Sequence, residues 1–506
     1  MPANQIVVVF VHGWSVTHTN TYGGLPDRLR DAAQAQNIDI KVKDIYLGRY
    51  ISFHDEVRVC DISRAFKTAV EEQLASVTKD GGRFVCITHS TGGPVIRDWW
   101  HRYYDQVAGS GICPMSHLIM LAPANFGSAL AQLGKSRLSR LKSWFENVEP
   151  GQGVLDWLEL GSSDAWDLNY AWINSDGSQI GARGIFPFVL TGEYIDRSFY
   201  DNLNTYTGEL GSDGVVRVAA ANLNSTYVRL VQEQPKKTQN GDYEANKLVG
   251  DIIKLAPKTA IRVISGKSHS GTDMGIMRSV KSSLTDKKSQ ELIDAILACL
   301  QVSTKPQYDK LCDRFYAETE KVQADEQVEV DSHIFRAPTY FIHDKYSMII
   351  FRVRDDEGFP IKDFDLILTA GPASDPNHLP KGFFVDRQRN QRNGENITYY
   401  FNHDMMKGTE AVRNGDNELI RPASAGADML GFQINPRPTE GFVRYLPCEM
   451  KANKELLDKG MHRNSTTLVD IVLRRLVSKN VFRVEKKTPQ TRPESFKNTK
   501  PDDYIL

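Results

Sequence analysis

The chain has 506 residues, 41% apolar and 25% charged, with a formal net charge of -1. That balance belongs to a globular protein of roughly two to four domains and excludes a chain too polar to build a core. It also supplies no bulk field that would gather nucleic acid, although Lys135–Lys142 and Lys479–Arg492 are local basic patches.

Ile6–Val11 is a β-branched run with no basic segment before it, and His12-Gly13 ends it. It reads as a buried parallel strand rather than a signal peptide. Apolar residues then recur at helical spacing over Leu25–Gln36, and Ile38–Leu47 alternates as a strand. Ile62–Thr78 reads as a helix closed by Gly81-Gly82, and Phe84–Ile87 as a second buried strand. That strand runs straight into Thr88-His89-Ser90-Thr91-Gly92-Gly93, after which Pro94–Tyr104 is helical, with proline tolerated in a first turn. Further strands are expected at Leu118–Leu121, Phe186–Thr191, Val215–Ala219 and Thr259–Ser265. Strands alternating with helices in this way imply a mainly parallel sheet covered on both faces.

Residues 128–183 interrupt the pattern. Leu130, Leu133, Leu138, Leu141, Trp144 and Phe145 are interleaved with Lys135, Arg137, Arg140 and Lys142, and Trp157, Trp166, Tyr170 and Trp172 follow. Such a stretch fits a helical lid or cap inserted over the C-terminal edge of the sheet. It suits either a lid that opens at an anionic lipid surface or a cap whose aromatic residues fill a core. Lys287–Leu300 closes the first domain as a helix, and Tyr308–Ala324 continues as a helix or linker. From about Asp331 the chain turns to short strands, among them Tyr340–Ile342, Met348–Val353 and Phe364–Leu368, with a further helix expected at Ser465–Val477. The expected division is therefore 1–305 catalytic, 306–330 helical linker, 331–485 mainly β and sandwich-like, and 486–506 a tail whose Lys-, Pro- and Thr-rich composition fits disorder.

A serine hydroxyl becomes a nucleophile when an imidazole accepts its proton and a carboxylate orients that imidazole. Ser90 stands between a buried strand and a helix, where a sharp turn exposes its Oγ at the sheet edge. The usual pattern at such a turn is Gly-x-Ser-x-Gly; here Thr88 replaces the first glycine and Gly92 keeps the second. Asp213, in Gly211-Ser-Asp-Gly-Val-Val216, and His269, in Gly266-Lys-Ser-His-Ser-Gly271, follow in the order Ser, acid, base. Asp196, Asp201 and Asp273 compete as acids, and His89 and His117 as bases; His89, next to the nucleophile in sequence, is expected to point away from it. The backbone N–H groups of Thr91 and Trp14 are the expected donors to the oxyanion, with His12 shaping the Trp14 loop.

These segments together resemble the α/β-hydrolase superfamily in its lipase-like branch over residues 5–300. Val9-Phe-Val-His-Gly13, Thr88–Gly93, Leu121-Ala-Pro-Ala-Asn-Phe-Gly-Ser128 and Ser212–Val216 carry the likeness. The third is similar to the stretch leading into the lid of many lipases, and the fourth to a catalytic-acid loop. The resemblance implies a catalytic triad of Ser90, Asp213 and His269, no cofactor, and Asp273 as the one weak candidate for a structural calcium. The expected activity is ester hydrolysis on a lipid through an acyl-enzyme on Ser90, with no nucleic-acid partner. A carboxylesterase or thioesterase of soluble substrates, an antibacterial secreted lipase effector, and a non-catalytic scaffold that binds a protein through its C-terminal domain are the alternatives. The six scattered cysteines form no CxxC pair and read as free thiols or core fillers. With no apolar run of about 18 residues, no transmembrane helix is expected. The expected location is the cytoplasm, peripheral at membranes, or outside the cell by a route that needs no signal peptide.

Overall fold

Among the described residues, eight strands precede Ile264: β1 (Ile6–His12), β2 (Ile40–Tyr46), β3 (Phe84–His89), β4 (Met115–Leu121), β5 (Phe186–Thr191), β6 (Thr226–Gln232), β7 (Asn246–Leu255) and β8 (Ala260–Val263). Six of them form one sheet in the order β2-β1-β3-β4-β5-β8, with every neighbouring pair parallel. This computed structural model describes all residues except 1–4, 13–20, 52–55, 106, 108–110, 135–150, 196–207, 238–245, 334–335, 415 and 478–506. Val8–Val11 and Phe84–Ile87 are buried throughout, as strands covered on both faces must be.

The helices are α1 (Leu25–Ala35), α2 (Val59–Gln73), α3 (Ala75–Thr78), α4 (Gly92–Tyr103), α5 (Leu130–Gly134), α6 (Gln152–Leu158), α7 (Ser163–Asn174), α8 (Val218–Ala221), α9 (Gln290–Leu300) and α10 (Lys305–Asp325). α1 packs on α9, and α2 on α4. α10, over the segment expected to be helix or linker, lies along β8 and buries Tyr308 and Phe315 in the same core. The arrangement is the α/β-hydrolase fold the sequence implied.

The second half adds β9 (Val328–His333), β10 (Arg336–Ile342), β11 (Tyr346–Asp355), β12 (Phe364–Ala370), β13 (Phe384–Arg389), β14 (Asn396–Asn402), β15 (Val412–Arg413), β16 (Leu419–Arg421), β17 (Met429–Pro436), β18 (Val443–Arg444), β19 (Cys448–Asn453), β20 (Ser465–Leu473) and β21 (Leu476–Val477). A nine-stranded sheet runs β12-β17-β19-β7-β6-β20-β11-β14-β13. It crosses the boundary expected near residue 331, because β6 and β7 sit inside it. β20 is parallel to β6 from Thr467↔Thr226 to Val472↔Val231, and parallel to β11 on its other side. Among the described residues β19 meets β7 at Cys448↔Asn246 and Glu449↔Lys247 alone, so the sheet has two arms. The arms curl together, and Phe351 of β11 meets Phe432 of β17 edge to face at 5.1 Å.

Two expectations are corrected. Ser465–Val477 is not a helix: Ser-Thr-Thr-Leu-Val-Asp-Ile-Val-Leu is rich in β-branched residues, and all nine positions of β20 are buried between two parallel neighbours. Val215–Ala219 is not a strand either. The backbone N–H groups of Val215 and Val216 are taken by the Asp213 carboxylate rather than by a neighbouring strand, and the chain turns into α8.

Helices α5, α6 and α7 form the insertion between β4 and β5. Trp157, Trp166 and Trp172 are buried. Trp172 packs on Trp100 at 6.0 Å, and Trp166 lies under the Arg352 guanidinium at 4.3 Å. The turn between β13 and β14 grips the same region: Asn390 Nδ2 donates to the Leu160 carbonyl (3.2 Å) and Asn396 Nδ2 to the Gly161 carbonyl (2.6 Å). The aromatic half of the insertion is therefore a packed cap. Its basic half, including Trp144 and Phe145, lies outside the described residues, as does the tail 486–506. Of the six free cysteines, five are buried and Cys60 is half-buried. Among the described residues, no helix is long and apolar enough to cross a membrane.

Candidate active site

Ser90 occupies the turn from β3 to α4 with φ +53°, a conformation that a non-glycine residue adopts at a cost and that turns the side chain out of the strand. The turn is held because Ser90 N donates to the Leu121 carbonyl at 3.0 Å and Gly93 N to the Ser90 carbonyl at 3.2 Å. Thr88 and Gly92 share the space beneath. A Cβ on Gly92 would stand 3.1 Å from Thr88 Cβ, tighter than ordinary contact. The missing side chain at 92 makes room for the extra one at 88, which explains how the turn tolerates threonine in place of the first glycine. A Cβ on Gly93 would meet Pro123 Cβ at 2.8 Å, so the first turn of α4 lies directly against the strand β4 exit.

His269 Nε2 is 3.0 Å from Ser90 Oγ, and His269 Nδ1 is 2.9 Å from Asp213 Oδ2. The carboxylate can only accept, so Nδ1 carries the proton and Nε2 presents its lone pair to the serine hydroxyl. The other carboxylate oxygen of Asp213 accepts from Val215 N (3.0 Å) and Val216 N (2.7 Å). His269 N also donates to the Asp213 carbonyl at 2.9 Å, which ties the two loops together by backbone as well as by side chain. Asp213 and His269 are fully buried and Ser90 is 9% exposed, so the three side chains are shielded from bulk water.

No family model and no curated protein matches the chain. Among solved structures, phospholipase PlaB from Legionella pneumophila aligns with 44% sequence identity and a TM-score of 0.81, over 97% of this chain and 98% of that one. The same phospholipase in complex with thio-NAD aligns with 42% identity and a TM-score of 0.81 over the same shares. The chain belongs to the PlaB phospholipase family. It is accordingly a hydrolase.

The remaining expected site residues divide as follows. Thr91 opens α4, so its N–H lies at the positive end of a twelve-residue helix and adjoins Ser90. Trp14 lies outside the described residues, as do Asp196 and Asp201. His12 is buried at the end of β1, with Nε2 2.8 Å from Asp44 Oδ1 and its ring stacked on Tyr46 at 4.3 Å, while the loop it was expected to shape lies outside the described residues. Asp273 is exposed, and no cluster of three metal-ligating side chains occurs among the described residues. His117 is walled in near the start of β4, away from the strand end beside Ser90: its Nε2 meets the Val302 carbonyl at 2.8 Å, and burial pushes its pKa down to about 4. His89 turns its Nε2 to the His269 carbonyl at 3.0 Å; burial, then the nearby His269, push it down to about 3, so it is a neutral donor.

Sequence reasoning missed the residues that hold the Asp213 loop. Ser128 Oγ donates to the Val215 carbonyl at 2.6 Å, Asn125 Nδ2 to the Ala221 carbonyl at 2.7 Å, and Phe126 N to the Ala220 carbonyl at 2.9 Å. The Ala-Asn-Phe-Gly-Ser motif after β4 is thus a cradle for residues 215–221. Asn125 is itself fixed by the buried Arg97 (3.2 Å), which also binds Asn169 and whose guanidinium burial lowers to about 9 against the opposing charge of Asp98. The signal in the sequence was the motif itself, whose partner segment only the fold reveals.

Proposed function

We propose that this chain hydrolyses acyl ester bonds of phospholipids, with Ser90 as nucleophile, His269 as general base and Asp213 as the acid that orients it. The observation that carries the reading is the unbroken hydrogen-bonded series Asp213–His269–Ser90 in a chain of the PlaB family.

Ser90 Oγ attacks the ester carbonyl carbon while His269 Nε2 takes the hydroxyl proton. Asp213 keeps the imidazole in the tautomer that can do so and stabilises the imidazolium. The Thr91 N–H, with that of Trp14, receives the oxyanion of the tetrahedral intermediate. Collapse of the intermediate breaks the bond to the alcohol oxygen, which leaves with the proton from His269. Water, deprotonated by His269, then attacks the acyl-enzyme, and the same proton returns to Ser90 as the fatty acid departs. Every species is accounted for without a metal or cofactor step.

A fluorophosphonate probe tests the nucleophile: labelling of the native chain that disappears in Ser90→Ala supports the reading, and a native chain that does not label overturns it. Release of fatty acid from phosphatidylcholine and phosphatidylglycerol vesicles, set against turnover of a short-chain p-nitrophenyl ester, tests the substrate. Ester turnover with no lipid product removes the phospholipid reading and leaves a soluble-substrate esterase.

A further inference from the structure

The Asp213 loop is gripped from the far end of the chain. Residues 209–217 turn on Gly211 (φ +74°), where a Cβ would stand 2.4 Å from both Tyr400 Oη and the Tyr346 ring. Tyr400 lies on β14, and its hydroxyl donates to the Leu210 and Gly211 carbonyls, each at 3.1 Å. Its ring stacks on Tyr346 of β11 at 5.1 Å and carries the Arg217 guanidinium at 4.0 Å.

Arg217 is 2% exposed and stands at the far end of the same loop. Its Nε and Nη2 bind the Glu209 carboxylate at 2.7 and 2.8 Å, which closes the loop on itself, and Nη2 also reaches Asp386 Oδ2 of β13. Burial works against the charge on Arg217, yet the facing carboxylates hold it protonated. Removing one partner of such a buried set leaves an uncompensated charge, so the geometry is strongly enforced. The β13–β14 hairpin therefore meets the loop at both ends, with Asp213 between them.

We infer that Tyr400 and Asp386 are positioning residues for the reaction: they fix loop 209–217 so that the Asp213 carboxylate keeps His269 in its reacting orientation. The inference rests on the triad reading above. It gives the C-terminal sheet a role in catalysis, in that the carboxylate is aimed by strands that begin about 170 residues further on (Arg217 and Asp386 are 169 apart).

The test uses the full chain with a short-chain p-nitrophenyl ester. Tyr400→Phe removes one hydroxyl and keeps the ring; Asp386→Asn removes the charge. A misplacement of about 1 Å at a catalytic group costs on the order of 100-fold, so kcat is expected to fall roughly 10- to 100-fold with KM unchanged. The acidic limb of the kcat/KM profile should move to lower pH, because a displaced Asp213 stabilises the His269 imidazolium less. Asp386→Glu should recover part of the loss. Fluorophosphonate labelling should slow in parallel while the circular-dichroism spectrum stays native. Tyr400→Phe with native kcat and an unmoved acidic limb overturns the inference, as does a drop in Tm alone with both kinetic readouts unchanged; if Asp386→Asn does not fold, Tyr400→Phe decides. Ser90→Ala and Asp213→Asn run beside them. If those two retain activity the triad reading fails, whereas their loss with an unaffected Tyr400→Phe sinks only the positioning role.

Discussion

His89 Nε2 donates to the backbone carbonyl of His269 at 3.0 Å, so the residue before Ser90 supports the main chain of His269. The two rings lie 4.7 Å apart. Removing the donor leaves a buried carbonyl without its partner, at a cost of about 1–3 kcal/mol. His89→Ala is expected to lower kcat several-fold to about 10-fold with little change in KM on a short-chain ester, and His89→Gln, which can still donate, to recover much of it. Equal kinetics for all three chains would show that His269 needs no such support.

Thr88 and Gly92 form a size-compensating pair under Ser90. Gly92→Ala should therefore cost about 1 kcal/mol more in the native chain than in a Thr88→Gly background, although alanine is otherwise the better helix residue. Denaturant midpoints of the four chains of the cycle measure the coupling. Strict additivity would mean the pair does not share space.

Stability should fall on the acid side of neutrality. His89 and His117 have folded pKa values pushed below the ordinary 6.5, to about 3 and about 4. Their burial as neutral rings is fully favourable above pH 6.5 and is lost as pH falls through 6.5 toward those values, since the unfolded chain takes up the protons first. Glu193 acts oppositely. Burial raises it from 4.5 to about 7, so its contribution is present below pH 4.5 and lost as pH rises toward 7. Two histidines against one carboxyl leave a net loss between pH 6.5 and 4.5. His117→Gln should reduce the difference in unfolding free energy between pH 7 and pH 5 by about 2 kcal/mol. Unfolding curves at the two pH values check this, and an undiminished difference would mean that His117 titrates normally.

A chain ending at residue 330 should not fold into an active hydrolase. It would lack β20, which pairs with β6 over six positions, and Asp386, which faces Arg217. The expected result is an aggregated chain that takes no fluorophosphonate label, with label restored when residues 331–506 are co-expressed. A labelled, monodisperse 1–330 fragment would contradict the account of a shared sheet.

The sequence disclosed the part of the site in which local pattern and local structure agree. Ser90 follows a run of buried β-branched residues and precedes a helix, and both features are encoded within a dozen neighbours. Asp213 and His269 could be ordered but not brought together, since their contact depends on loops meeting across the sheet. The Val215-Val216 pair misled because β-branched residues suit a strand, and only the Asp213 carboxylate, which takes their N–H groups, prevents one. β20 misled for the reverse reason: all nine of its positions are buried because both faces are covered, so its sequence carries no period that separates strand from helix. Arg217, Glu209, Asp386 and Tyr400 left no trace in the sequence, for a buried ion pair between segments so far apart has no local signature.

The placing of β6 and β20 side by side also sets an order of events during synthesis. Asn222 Nδ2 donates to the Asn464 carbonyl across 242 positions of chain, and the parallel ladder that follows needs both strands. Pairing at such separation is slow to form and waits until the later strand exists. A nascent chain can expose Ser90 and even His269 on the ribosome, but the loop that carries Asp213 meets Asp386 and Tyr400 only after the β13–β14 hairpin has emerged, and β6 meets β20 later still. The fold thereby delays completion of the proposed lipid-cleaving centre until translation is well advanced.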